Sequence, residues 1–170
     1  NSINIEQIGS NNQYTISQEN DGKYVNISLG GVASSDNNTI SVTQQDTGSH
    51  SASIELPNGI NNGVSITQSG SGNQTTSIQN FIGSSNSISV NQSGASNNTF
   101  NVLGTGTNNA NTISATQTGN LGADKSFTLN MNGTNGANVT VQQTNPTQSN
   151  SGSMSIQCYS GCGNYSYIRN

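Results

Sequence analysis

The chain has 170 residues, of which 28% are hydrophobic and 5% aromatic, too few apolar side chains to fill a conventional globular core. Only 6% of residues are charged and the net charge is -4, which does not match the high charge of most disordered chains. The three basic residues, Lys23, Lys125 and Arg169, stand too far apart to form a phosphate-binding patch, which argues against nucleic acid as a partner. No apolar run reaches the ~20 residues that a membrane-spanning helix requires, and no membrane insertion is expected.

Ile3, Ile5 and Gln7 open the chain on one face of a short strand. After a turn carrying Gly9, the residues Asn12, Tyr14, Ile16 and Gln18 alternate with polar residues, the period of a half-buried strand. This figure of Asn, two apolar residues and Gln at alternate positions then returns. It reads Asn38, Ile40, Val42, Gln44, then Asn62, Val64, Ile66, Gln68, then Asn86, Ile88, Val90, Gln92 and Asn111, Ile113, Ala115, Gln117. A weaker copy is Ala137, Val139, Val141, Gln143. The glutamines recur about every 25 residues, in the range of repeat architectures.

Between these figures lies a second strand: Val25, Ile27, Leu29, then Ala52, Ile54, Leu56, then Thr76, Ile78, then Phe100, Val102, then Phe127, Leu129, Met131. The later ones begin a few residues after Gly48, Gly72, Gly94 or Gly122, glycines expected at corners that need a positive φ. Pro57 and Pro146 also fall at predicted corners, and the stretch from Gly30 to Asn37 reads as a loop insertion. The expected fold is all-β: a two-sheet β-solenoid of stacked strand-turn-strand coils of about 25 residues. Residues 1–150 form the repeats, and residues 151–170 form the last coil with a Cys- and Tyr-bearing segment that caps the stack or docks on a partner.

Stacking such coils lines equivalent side chains into ladders. The expected amide ladders are Asn12, Asn38, Asn62, Asn86 and Asn111, and Gln18, Gln44, Gln68, Gln92, Gln117 and Gln143. The expected core ladder is Ile16, Ile40, Val42, Val64, Ile66, Ile88, Val90, Ile113, Val139 and Val141. Two or three apolar residues per strand suffice for a core this thin.

Gln68, Gly70, Gly72, Asn73, Thr75 and Gln79 stand at the spacing of the curlin repeat, Gln-x-Gly-x-Gly-Asn-x-Ala-x-x-x-Gln, with Thr75 at the Ala position. Gln7, Gly9, Asn12, Tyr14 and Gln18 fit it with substitutions, and Gln92, Gly94, Asn97 and Thr99 fit its first half. On these residues the chain resembles the curlin-repeat family, the subunits of curli, which are secreted amyloid fibres of bacterial biofilms. The resemblance implies a stacked β-solenoid, an extracellular or cell-surface location and self-assembly into a fibre that adheres to surfaces or builds matrix. It departs from the family where strands end in Leu29, Leu56, Met131 or Cys158 instead of Gln.

No catalytic, metal or cofactor site is expected. His50, the single histidine, reads as a solvated corner residue, and the carboxylates Glu6, Glu19, Asp21, Asp36, Asp46, Glu55 and Asp124 are scattered over corners and outward positions. Cys158 and Cys162 fit a local disulfide in an exported chain, and a start without Met fits a processed precursor. Ile3 and Ile5 at one end and Tyr165 and Tyr167 at the other are the expected assembly ends. The partner is then another copy, stacked head to tail, with a nucleator or surface as a further partner. Two alternatives stand beside the fibre: a curlin-repeat appendage on a virion or cell surface, and a monomeric ice- or glycan-binding solenoid. The latter would use the outward hydroxyls Thr15, Ser17, Thr39, Ser41, Thr43, Ser65, Thr67, Ser87, Ser89, Thr112, Ser114 and Thr116.

Overall fold

The computed structural model describes residues 1–30, 35–57, 59–79, 82–119, 124–145, 151–160 and 162–169. Gly122, Pro146 and positions 31–34 of the loop after Gly30 lie outside the described residues. The elements are β1 (Ser2–Ile5), β2 (Gln13–Gln18), β3 (Lys23–Ile27), β4 (Thr39–Gln44), β5 (His50–Ile54), β6 (Gly63–Gln68) and β7 (Gln74–Ser77). They continue as β8 (Ser87–Gly94), β9 (Asn98–Thr105), β10 (Thr112–Gly119), β11 (Lys125–Asn132), β12 (Asn138–Asn145), β13 (Gly152–Tyr159) and β14 (Asn164–Arg169). The fold is all-β, as the alternation predicts.

Odd strands form one seven-stranded sheet in the order β1-β3-β5-β7-β9-β11-β13, and even strands form the other, β14-β12-β10-β8-β6-β4-β2. Every pairing is parallel. Each turn of chain therefore adds one strand to each sheet, which is a β-solenoid. Residue steps between neighbouring layers are 24, 25 or 26 in the ladders that bridge them.

Because side chains alternate across a strand, one parity of each strand faces inward and the other outward. Inward positions stack in register: Ile40, Val64, Ile88, Ile113 and Val139 form one column, and Val42, Ile66, Val90, Ala115 and Val141 the next. From the opposite sheet come Ile27, Ile54, Ile78, Val102, Leu129 and Ile156, all buried. Phe100 and Phe127 stack with ring centroids 5.4 Å apart. The core is thus a narrow apolar strip running the length of the stack.

Corners repeat as faithfully as strands. Asn11, Asn37, Asn61, Ser85, Ala110 and Gly136 all have φ between 54 and 68 and stand just before Asn12, Asn38, Asn62, Asn86, Asn111 and Ala137. The glycine corners correct a sequence expectation: Gly48 and Gly72 do not have positive φ, and what excludes a side chain there is the next layer. A Cβ on Gly72 would lie 2.1 Å from the Ser96 carbonyl oxygen. Gly70 carries both constraints, with φ 94 and the Gly94 carbonyl oxygen 2.2 Å from where its Cβ would be. Gly63, inside β6, has neither, since nothing lies within 4 Å of its Cβ position.

This contrast predicts opposite outcomes for two chemically identical changes. Gly70→Ala lowers unfolding stability by roughly 2 to 4 kcal/mol, whereas Gly63→Ala raises it by up to ~1 kcal/mol. Urea unfolding of the two variants measures both.

Candidate functional site

The chemistry of this chain is concentrated in columns of polar side chains at the margins of the apolar strip. Asn38, Asn62, Asn86 and Asn111 are buried, and Asn12 begins their column half-buried. Asn38, Asn62, Asn86 and Asn111 each donate from Nδ2 to the Oδ1 of the preceding asparagine at 3.0 to 3.1 Å. The same Oδ1 also accepts the backbone N–H of the residue stacked on it. The second Nδ2 proton goes to a corner carbonyl: Ser35, Gly59, Gly83, Asn108 or Thr134. No part of a carboxamide is left over, and a shorter or apolar side chain could not replace it. The column ends where Ala137 donates its N–H to Asn111 Oδ1 at 2.8 Å and has no amide of its own.

The glutamines occupy the other end of the even strands. Gln18 donates to Gln44, Gln44 to Gln68 and Gln68 to Gln92 at 2.8, 2.8 and 3.1 Å. Near the far end the direction reverses, with Gln143 donating to Gln117 at 2.9 Å. Each also donates across the core to the facing sheet, to the carbonyls of Ser2, Tyr24, Ser51, Thr75, Thr99 and Ser126 in turn. The glutamines therefore bind layer to layer and sheet to sheet at once.

A third column escaped the sequence reading. Lys23, His50, Gln74, Asn98 and Lys125 occupy the first inward position of successive odd strands, and all are buried. His50 is only 1% exposed, which overturns the solvated corner expected for it. Its Nε2 lies 2.7 Å from the Gln45 carbonyl oxygen, so that nitrogen carries the proton in the neutral ring, and Nδ1 has no partner. Lys23 Nζ donates to the carbonyls of Asp46 and Gly48. Burial lowers the pKa values of both side chains, opposed for Lys23 by the Asp46 carboxylate and for His50 first by its bond to Gln45. The signal was available: each of these residues stands two places before Val25, Ala52, Thr76, Phe100 or Phe127, on the same parity.

At the termini of the stack, β1 and β2 form one end layer and β13 and β14 the other. Ile3 and Ile5 share columns with Val25 and Ile27 but are 52% and 39% exposed, because no further layer lies over them. At the opposite end Tyr165 stacks on Val139 and Tyr167 on Val141, with Tyr165 exposed and Tyr167 half-buried. Cys158 is buried on Met131 and bonded to Cys162, a disulfide that closes the corner between β13 and β14. The outward hydroxyls also fall into register, Thr15, Ser41, Ser65, Ser89 and Ser114 forming one column. Glu6, Glu19, Asp21, Asp46 and Asp124 are exposed, and Asp36 and Glu55 are half-buried. Among the described residues no group of three His, Cys, Asp or Glu is placed to hold a metal.

Removing one rung of the asparagine column leaves buried donors and acceptors unpaired. Asn62→Ala is expected to cost roughly 2 to 4 kcal/mol in unfolding experiments, against under ~0.5 kcal/mol for Asn91→Ala on the exposed face of the same sheet. Reduction of the disulfide, which closes a loop of few residues, is expected to cost about 2 kcal/mol. Hydrogen exchange will show that loss as faster exchange confined to β13 and β14.

Residues 59–94 match the family model of the curlin associated repeat. No curated protein and no solved structure matches the chain. The matched segment spans β6, β7 and β8 and includes two rungs of each amide column, Asn62 with Asn86 and Gln68 with Gln92. The chain thus carries a curlin associated repeat at its centre, flanked by layers that reproduce its strands and ladders.

Proposed function

We propose that the protein is a structural subunit of an extracellular curli-like amyloid fibre, built by head-to-tail stacking of copies and used for adhesion or biofilm matrix. The curlin repeat and the β-solenoid fold suggest a curli-like structural protein. The observation that carries the finer reading is the pair of uncovered end layers. At each end a parallel edge strand of each sheet is unpaired, and Ile3, Ile5, Tyr165 and Ile168 are exposed there. A free parallel edge templates another strand. Because the two ends differ, their contact is heterologous and grows without closing, which produces a filament.

In such a filament β14 of one copy meets β2 of the next in the register already used inside the chain, setting Tyr165 on Tyr14 and Tyr167 on Ile16. No catalytic step is assigned, and the work of the molecule is mechanical and adhesive. A second reading, a fixed appendage on a virion or cell surface, draws support from the end of the asparagine column at Ala137 and the disulfide at the last corner. Those features make the last layers chemically unlike the first.

Purified protein at rising concentration is expected to give unbranched filaments by electron microscopy, with a ~4.8 Å repeat along the fibre axis in diffraction. Ile3→Lys combined with Ile5→Lys places charge on the open end strand and should abolish filaments while the β-sheet circular dichroism of the monomer persists. Ile66→Asp combined with Val90→Asp should instead abolish folding, because charge enters the dry core. Discrete particles of fixed size from the unaltered protein at every concentration would overturn the fibre and leave the appendage.

A further inference from the structure

The buried His50 has no part in the fibre reading, and its surroundings assign it a separate consequence that rests on the solenoid alone. Its ring lies in the column between Lys23 of β3 and Gln74 of β7, packed so closely against its own corner that a Cβ on Gly48 would sit 2.7 Å from its Cε1. With Nε2–H given to the Gln45 carbonyl, the only place for another proton is the buried, unpartnered Nδ1. The charged groups facing it are Lys23 from the neighbouring layer and Asp46 from its own corner. Gln74, on the other side, is neutral. Asp46 already accepts the Gly70 backbone N–H at 2.9 Å through Oδ2, and its backbone carbonyl accepts Lys23 Nζ at 2.7 Å.

We propose that His50 is an acid-sensitive seam: its protonation sets an imidazolium beside the Lys23 ammonium inside the stack and opens the corner that joins β4 to β5. No carboxylate within the column neutralises the pair. The Lys23 ammonium also depends on that corner, because the Asp46 and Gly48 carbonyls that hold it belong to the segment that must move. Opening would unseat both cations together and loosen the layers built on β3, β5 and β7. A mildly acidic surrounding would then keep these layers from folding, and a return to neutral pH would let them close.

The sign follows from burial. The folded-state pKa of His50 is lowered, so both folded and unfolded states are neutral above the ordinary histidine value and no stability is lost there. As pH falls below that value the unfolded chain takes up a proton that the folded chain refuses. The folding constant then drops about tenfold per pH unit until the folded-state pKa is reached.

Two measurements on the intact chain test this. His50 is the single histidine, so its ring signals in NMR are unambiguous. As the pH is lowered from about 7.5, the native ring should still be neutral with the proton on Nε2 where a free histidine is half-protonated, near ~6.5, and take up its second proton only below that value. Urea midpoints over the same range should fall for the unaltered protein and stay level for His50→Gln, which continues the column with an amide. Hydrogen exchange at residues 45–50 should quicken in acid in the first protein only. A native ring that titrates at or above the ordinary value would overturn the proposal, as would His50→Gln that keeps the full acid loss. Should His50→Gln fail to fold, the ring titration in the unaltered protein decides alone.

Discussion

A core only two side chains thick cannot bury an amide without partnering it, and that constraint governs the rest of the molecule. Each asparagine between Asn38 and Asn111 binds the layer before it, the layer after it and a corner carbonyl. A slip of one residue in any layer would turn the apolar positions to solvent and strand several donors at once. Register is therefore fixed by the polar columns at the margins, while the apolar strip between them supplies the burial. This division explains how a chain with so few hydrophobic residues forms an ordered stack.

Because each layer touches mainly the layers on either side, the molecule is nearly one-dimensional, and its stability accumulates from contacts between neighbours. Corners can then vary as long as they return the strand to its column. The long loop after Gly30 interrupts neither the Asn12–Asn38 nor the Gln18–Gln44 hydrogen bond. Where successive corners run closest, however, nothing larger than glycine fits. The same one-dimensional logic leaves both end layers unfinished, which links the stacking inside the chain to the assembly proposed between chains.

The even sheet was legible in the sequence because one chemical figure repeats along it: Asn, apolar, apolar, Gln on a single parity. The odd sheet was legible in its apolar positions alone. Its first column changes residue type in almost every layer, from Lys23 to His50 to Gln74 to Asn98, and lysine and histidine near glycine corners ordinarily face water. Parity held the information and residue type obscured it. The corner glycines misled in another way, since close approach by the next layer leaves the same mark in sequence as a positive φ. Ile3 and Ile5 follow the inward pattern yet are exposed, because β1 pairs on one side only, with β3.

The central claim, that each figure in the sequence is one layer of a parallel, in-register stack, is tested most directly by distances along one outward column. Spin labels on Thr15 paired in turn with Ser89, Ser114 and Thr140 report backbone separations that the account places at roughly 14, 19 and 24 Å, one strand spacing of ~4.8 Å per layer. Distances that increase in equal steps in the monomer would establish the stack. Distances that fail to grow with layer number would contradict it, because strands paired as successive hairpins or in a shifted register cannot reproduce that progression.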